Sequence, residues 1–150
     1  MKILSKYISA CLLATSMLLG NAALAQTSPM PASDSLYQAF GGKDGMFKMV
    51  NDFVDIIAVD PRLKPAFVDA DLERTAAMLN EQFCELTGGP CTYSGKDMKT
   101  THAKLKISNA QFNALAEDLQ TAMDMHGIPS RAQNKLLAKL APMQRDVVTK

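Results

Sequence analysis

From Met46 to Val147 the apolar residues of this 150-residue chain recur at spacings of three and four, the period of helices that bury one face. Met46, Met49, Val50, Phe53, Val54 and Ile57 form a first stripe, ended by Asp60-Pro61. Leu72, Ala76, Leu79, Phe83 and Leu86 form a second, stopped by Gly88-Gly89-Pro90. A third carries Phe112, Leu115, Ala116, Leu119, Ala122 and Met123; it opens on a Ser108-x-x-Gln111 capping box and closes at Gly127. The fourth holds Leu136, Leu137, Leu140, Met143 and Val147, behind Pro129 and a second box, Ser130-x-x-Gln133. Val, Ile and Thr never alternate with polar residues over a useful length, so no strand is expected. The expected class is all-α, with four main helices and shorter ones near 35–40, 61–66 and 96–103.

The first 25 residues follow a different logic. Lys2 and Lys6 supply a positive start, Ile8 to Gly20 an apolar run, and Ala23-Leu24-Ala25 a small-residue end. That pattern predicts a secretory signal peptide over 1–25, cleaved near Ala25/Gln26, and a periplasmic or secreted protein. The run falls short of the roughly 20 apolar residues of a spanning helix. Ile8-Ser9-Ala10-Cys11 has the form of a lipoprotein box, but almost no apolar stretch precedes it, so lipidation is set aside. Residues 26–34, "QTSPMPASD", are polar and aperiodic and read as a disordered leader, followed by one domain over 35–148. Without the two signal lysines, 14 basic residues face 15 acidic ones. No basic stripe exists, which argues against nucleic acid and, after cleavage, against a membrane surface as partner.

Little metal or nucleophile chemistry is available. After cleavage the histidines are His102 and His126, the cysteines Cys84 and Cys91, and no HExxH, CxxC, P-loop or GxSxG motif is present. His126, beside Gly127, reads as a surface residue capping a helix C-terminus. Cys84 and Cys91 are an even pair in an oxidising compartment, and the glycine turn can bring them within bridging distance; two free thiols are the alternative. His102 ends a short segment in which Ser94-x-x-Asp97 supplies a cap and Met98 lies one turn earlier. A single histidine facing apolar material from other helices is what a haem iron requires on its proximal side. An ordinary histidine has the same local appearance.

Four stretches, "LYQAFGGKDGMFKMVNDFV", "DPRLKPAFVDAD", "GGPCTYSGKDMKTTH" and "MHGIP", occur in the order and spacing of the group I truncated haemoglobins, which the chain resembles from Ser35 to about Val148. The resemblance implies a two-over-two helical sandwich around haem b, with His102 as proximal iron ligand. It matches Phe67 to a phenylalanine that packs on the haem face, in a short turn between helices. Leu79, Phe83, Met98, Ile107 and Phe112 are expected to line the pocket, and Lys99 to contact a propionate. The ligand side would be formed by Val54, Thr75, Met78 and Gln82, together with Phe67 and Leu79. Relatives commonly place tyrosine at the position of Val54 and glutamines at those of Thr75 and Leu79, so their polar network around bound oxygen does not carry over.

Three functional readings follow. The first is an exported haem protein binding oxygen, nitric oxide or carbon monoxide in a largely apolar pocket. Redox turnover of nitric oxide dioxygenase or peroxidase type, with a redox partner the sequence does not name, stays open. The second is a six-coordinate electron-transfer or sensing protein with Met78 as sixth ligand. The third is a haem-free interaction module.

Overall fold

The Ser35 hydroxyl accepts the Gln38 amide at 3.2 Å and starts α1 (Leu36–Ala39). The computed structural model describes residues 35–150; the expected signal peptide and leader lie outside them. The next elements are α2 (Gly42–Val59), α3 (Lys64–Phe67), α4 (Leu72–Leu86), α5 (Met98–His102), α6 (Asn109–Met125) and α7 (Ser130–Leu140). A 3₁₀ turn (Ala141–Met143) and α8 (Gln144–Val147) are the last of the described elements. All regular elements among the described residues are helices.

Local chemistry sets most boundaries. α2 stops at Asp60, whose extended backbone is what a residue before proline must adopt. Asp71 caps α4 through the Arg74 amide at 3.0 Å. The capping box of α6 forms as expected, with Ser108 and Gln111 satisfying each other's amides. The second box does not form. Ser130 is already helical behind Pro129, and the Gln133 amide instead donates to Asp124 at 2.7 Å and to the Ile128 carbonyl at 2.9 Å. The fourth stripe is also not one helix, because Pro142 breaks it into α7, the 3₁₀ turn and α8.

α2 packs on both α4 and α6, and α7 packs on the same two helices, giving a two-over-two sandwich. Phe40, Met49, Val50, Ile57, Met123 and Leu136 are fully buried at its centre, each contributing about 1.5–3 kcal/mol by removal from water. Phe53 of α2 stacks on Phe83 of α4 with ring centroids 6.3 Å apart.

A charged cluster ties the end of α2 to α6. Arg62 bridges Asp60, Glu117 and Asp118. Asp118 is buried, and its Oδ2 has no hydrogen-bond partner among the described residues. Burial, and then the neighbouring Asp60 charge, raises the Asp118 pKa, while Arg62 lowers that of Asp60. A raised folded-state pKa means that the Asp118 contribution to stability is complete below its unfolded pKa and is lost as pH rises through the folded value. The Asp60 contribution has the opposite sign and is lost as pH falls. Asp118→Asn keeps an acceptor for Arg62 and adds a donor toward Asp60. It is expected to raise the melting temperature by a few degrees at neutral pH, with the gain shrinking toward acid; melts followed by circular dichroism check this. No gain at neutral pH would mean that Arg62 already offsets the buried charge.

Candidate functional site

The route to His102 begins where α4 ends. Gly88 takes a left-handed backbone (φ 81°), so that its amide reaches the Glu85 carbonyl at 3.0 Å and the Gly89 amide reaches that of Cys84 at 2.8 Å. Gly89 lies where a Cβ would sit 2.6 Å from the Cys84 sulfur and 2.7 Å from the Tyr37 ring. A disulfide joins Cys84 to Cys91, with Cα atoms 5.8 Å apart, and closes this turn. The Ser94 amide and hydroxyl then donate to Glu81 of α4 at 2.9 and 2.7 Å, holding the Glu81 carboxyl below its usual range. Ser94 is therefore not the cap of α5. Asp97 caps it alone, accepting the Thr100 amide at 2.8 Å and its hydroxyl at 2.7 Å.

His102 is the last residue of α5. Its Nδ1 lies 2.7 Å from the Met98 carbonyl oxygen, which can only accept, so Nδ1 carries the proton. That assignment leaves the Nε2 lone pair for a metal, the usual division of labour in an imidazole ligand. Three cavities of about 400–430 Å³ share His102 and Leu115 in their walls. They form one cleft between α3, α4, α5, α6 and the C-terminal helices.

Most of the expected pocket residues meet there. Phe67 and Thr75 line two of the cavities, as do Leu79, Gln82, Met98 and Phe112, while Met78, Phe83 and Ile107 line one each. Phe67 ends a one-turn helix instead of lying in a turn. Two expected residues lie outside these walls. Val54 is buried in the core and lines none of the three cavities; Phe53 and Ile57 of the same helix do so. Lys99 is exposed and likewise absent from the walls, whereas Arg74, Lys96 and Lys104 stand at the margins. Leu115 and Val147, read from sequence only as core, are wall residues. His126 caps α6 as expected and pairs with Asp52 of α2 at 2.6 Å, a partner that no local pattern announced.

The polar side chains on the α4 wall are mostly engaged. Thr75 donates its hydroxyl to the Asp71 carbonyl at 2.8 Å. Among the described residues, the buried Gln82 amide faces only the sulfurs of Met98 and Met143, at 3.6 and 3.7 Å. Among the described residues no three His, Cys, Asp or Glu side chains converge to cage a metal. One free imidazole nitrogen in an apolar cleft with cations at its margin instead suits a flat, mostly apolar group that brings its own metal and carries carboxylates.

A family model described as bacterial-like globin matches residues 35–149. This chain is a bacterial-like globin. The globin is 28% identical over 115 residues to a group 1 truncated haemoglobin GlbN of Mycolicibacterium paratuberculosis, covering 77% of this chain and 85% of that one. It has the same identity over 116 residues to a group 1 truncated haemoglobin GlbN of a Nostoc species, covering 77% and 98%. The crystal structure of the truncated haemoglobin of Tetrahymena pyriformis, in its Fe(III) form, superposes with a TM-score of 0.73 at 25% identity, covering 77% of this chain and 98% of that one. The all-α truncated-globin fold is thereby established, and globin-type binding of ligands at haem is the activity the family carries.

The tight approach at Gly89 generates a test. Gly89→Ala forces a methyl against Cys84 and Tyr37 and is expected to cost about 1–3 kcal/mol in urea unfolding. An unchanged midpoint would mean that the disulfide and the Tyr37 ring move aside freely.

Proposed function

We propose that this globin is an exported protein that holds haem b through His102 and takes up oxygen, nitric oxide or carbon monoxide on the α4 side. One observation carries the reading: a histidine whose Nδ1 is engaged by the Met98 carbonyl, and whose Nε2 is thereby left for a metal, lines an apolar cleft. The truncated haemoglobins to which the chain is similar support it. Arg74, Lys96 and Lys104, at the margins of the cavities, would receive the propionates. When bound, the haem iron supplies the coordination position at which a small gas is held. The chain supplies the imidazole, the apolar walls that exclude water, and very few hydrogen-bond donors. Export rests on the Lys2-to-Ala25 pattern, and the Cys84–Cys91 disulfide suits an oxidising compartment.

Met78 lines the same cavity as His102, which favours the six-coordinate form as the second reading. An absorption spectrum of the purified protein separates the readings. A Soret band that shifts with carbon monoxide supports gas binding, and a low-spin spectrum that Met78→Ala abolishes supports the second. No Soret band after addition of haem would overturn both.

His102→Ala is expected to bind haem weakly or not at all while keeping its helical circular dichroism, and added imidazole should restore part of the binding. An unchanged spectrum in the variant would remove His102 from this role.

The α4 wall generates the other expectation. A charge-assisted hydrogen bond to bound oxygen contributes about 1.5–3 kcal/mol, roughly ten- to a hundred-fold in dissociation. Leu79 offers none, Val54 lies in the core, and Thr75 is spent on its own helix. Oxygen should therefore leave at least about ten times faster than from a relative with tyrosine at the Val54 position, measured by stopped flow. Slow release would mean that the Gln82 amide turns from the two sulfurs to the ligand.

A further inference from the structure

α5 is only five residues long, and a helix of that length does not hold itself. Its packing partner is α8, at the C-terminal side of the Pro142 break. Val147 of α8 is buried and shares two cavity walls with His102. Two residues on, the Thr149 amide donates to the Ile107 carbonyl at 2.9 Å, and the Lys150 amide reaches the same oxygen at 3.2 Å. Ile107 is itself a wall residue, and it follows Lys106, whose φ of 53° is a left-handed backbone that a lysine keeps only where its surroundings hold it. The segment also reaches the rest of the cleft. Gln144 donates to Asn109 at the start of α6 at 3.0 Å, and the Met143 sulfur receives the Gln82 amide of α4.

We propose that residues 141–150 form a clasp that fixes the position of His102, with Val147 as its positioning residue and the Thr149 amide as its anchor. The mechanism is indirect. The clasp immobilises α5 through its packing on α8 and the 103–108 loop through the Ile107 carbonyl, so that the imidazole keeps one orientation. Pro142 makes this possible, because an uninterrupted α7 would carry Val147 away along its own axis.

The inference rests on the proposed haem site only for its second measurement. The variants are Thr149→Pro, which deletes one N–H, and Val147→Ala, which loosens the packing of α8 on α5. Val148 is already extended (φ −77°, ψ 118°), as a residue before proline must be, so Thr149→Pro suits the backbone preceding it. In the haem-free full chain, amide exchange is read at Leu105, whose N–H donates to the His102 carbonyl at 3.0 Å, and at its loop neighbours. Exchange there should quicken roughly three- to ten-fold, the equivalent of one hydrogen bond, with α2, α4 and α6 unaffected. In the haem-loaded protein, transfer of haem to excess apomyoglobin should quicken by about the same factor, and the iron–histidine stretching band should shift or broaden. Unchanged exchange with an unchanged band in both variants would overturn the clasp. If Val147→Ala fails to fold, Thr149→Pro decides alone. A chain that takes up no haem refutes the proposed function and leaves the exchange measurement to judge the clasp.

Discussion

The bond from the His102 Nδ1–H to the Met98 carbonyl is the interaction on which the cleft depends. It selects one tautomer and fixes the ring orientation of a histidine that lines all three cavities. That bond requires a turn of helix from Met98 to His102, and the turn requires the Asp97 cap. The cap in turn requires a loop that leaves α4 sharply, which the left-handed Gly88 and the close approach of Gly89 provide. A chain of local constraints, each a single hydrogen bond or a missing Cβ, thus delivers one nitrogen atom to an apolar cleft.

The large helices were legible because burying one face of a helix imposes a period, and a period survives in sequence. Short elements carry none. α5 spans little more than one turn, so His102 stood out through its resemblance to a family and not through any stripe. The break at Pro142 was written in the sequence, but Met143 and Val147 keep helical spacing across it and the apolar pattern outweighed the proline. Ser130-x-x-Gln133 has the letters of a capping box, yet Pro129 precedes the helix and Asp124 competes for the Gln133 amide. Val54 and Phe53 are both buried on α2, a helix covered on several sides, so burial alone could not tell which faces the cleft. Lys99 lies outside the cavity walls that Arg74, Lys96 and Lys104 border, because an exposed cation is placed by tertiary folding and leaves no local signal.

The cleft is polarised in its chemistry. Its α4 side is nearly mute toward a small ligand: a threonine bonded to its own backbone, a leucine, and an amide aimed at thioethers, which are weak acceptors. Its opposite side is a hydrogen-bonded imidazole. Such a site binds through the cofactor's own affinity and through exclusion of water, with little discrimination by polar contact. The ion pairs among the described residues lie elsewhere, in the Arg62 cluster and the Asp52–His126 pair, where they join helices, while Arg74, Lys96 and Lys104 stand only at the margins of the cleft.

Glu81 and Gln82 are neighbours in α4, one bonded outward to Ser94 and the other turned into the cleft. The helix that forms the ligand-side wall is therefore fastened, by its outer face, to the loop that carries the cap of α5. Packed helices move as rigid bodies and transmit displacement instead of absorbing it. Leu79 and Gln82 face the cleft from the same helix turn that offers Glu81 to Ser94. The ligand-side wall and the segment that carries His102 are thus joined outside the cleft as well as across it, and Ser94 is the residue at which the two meet.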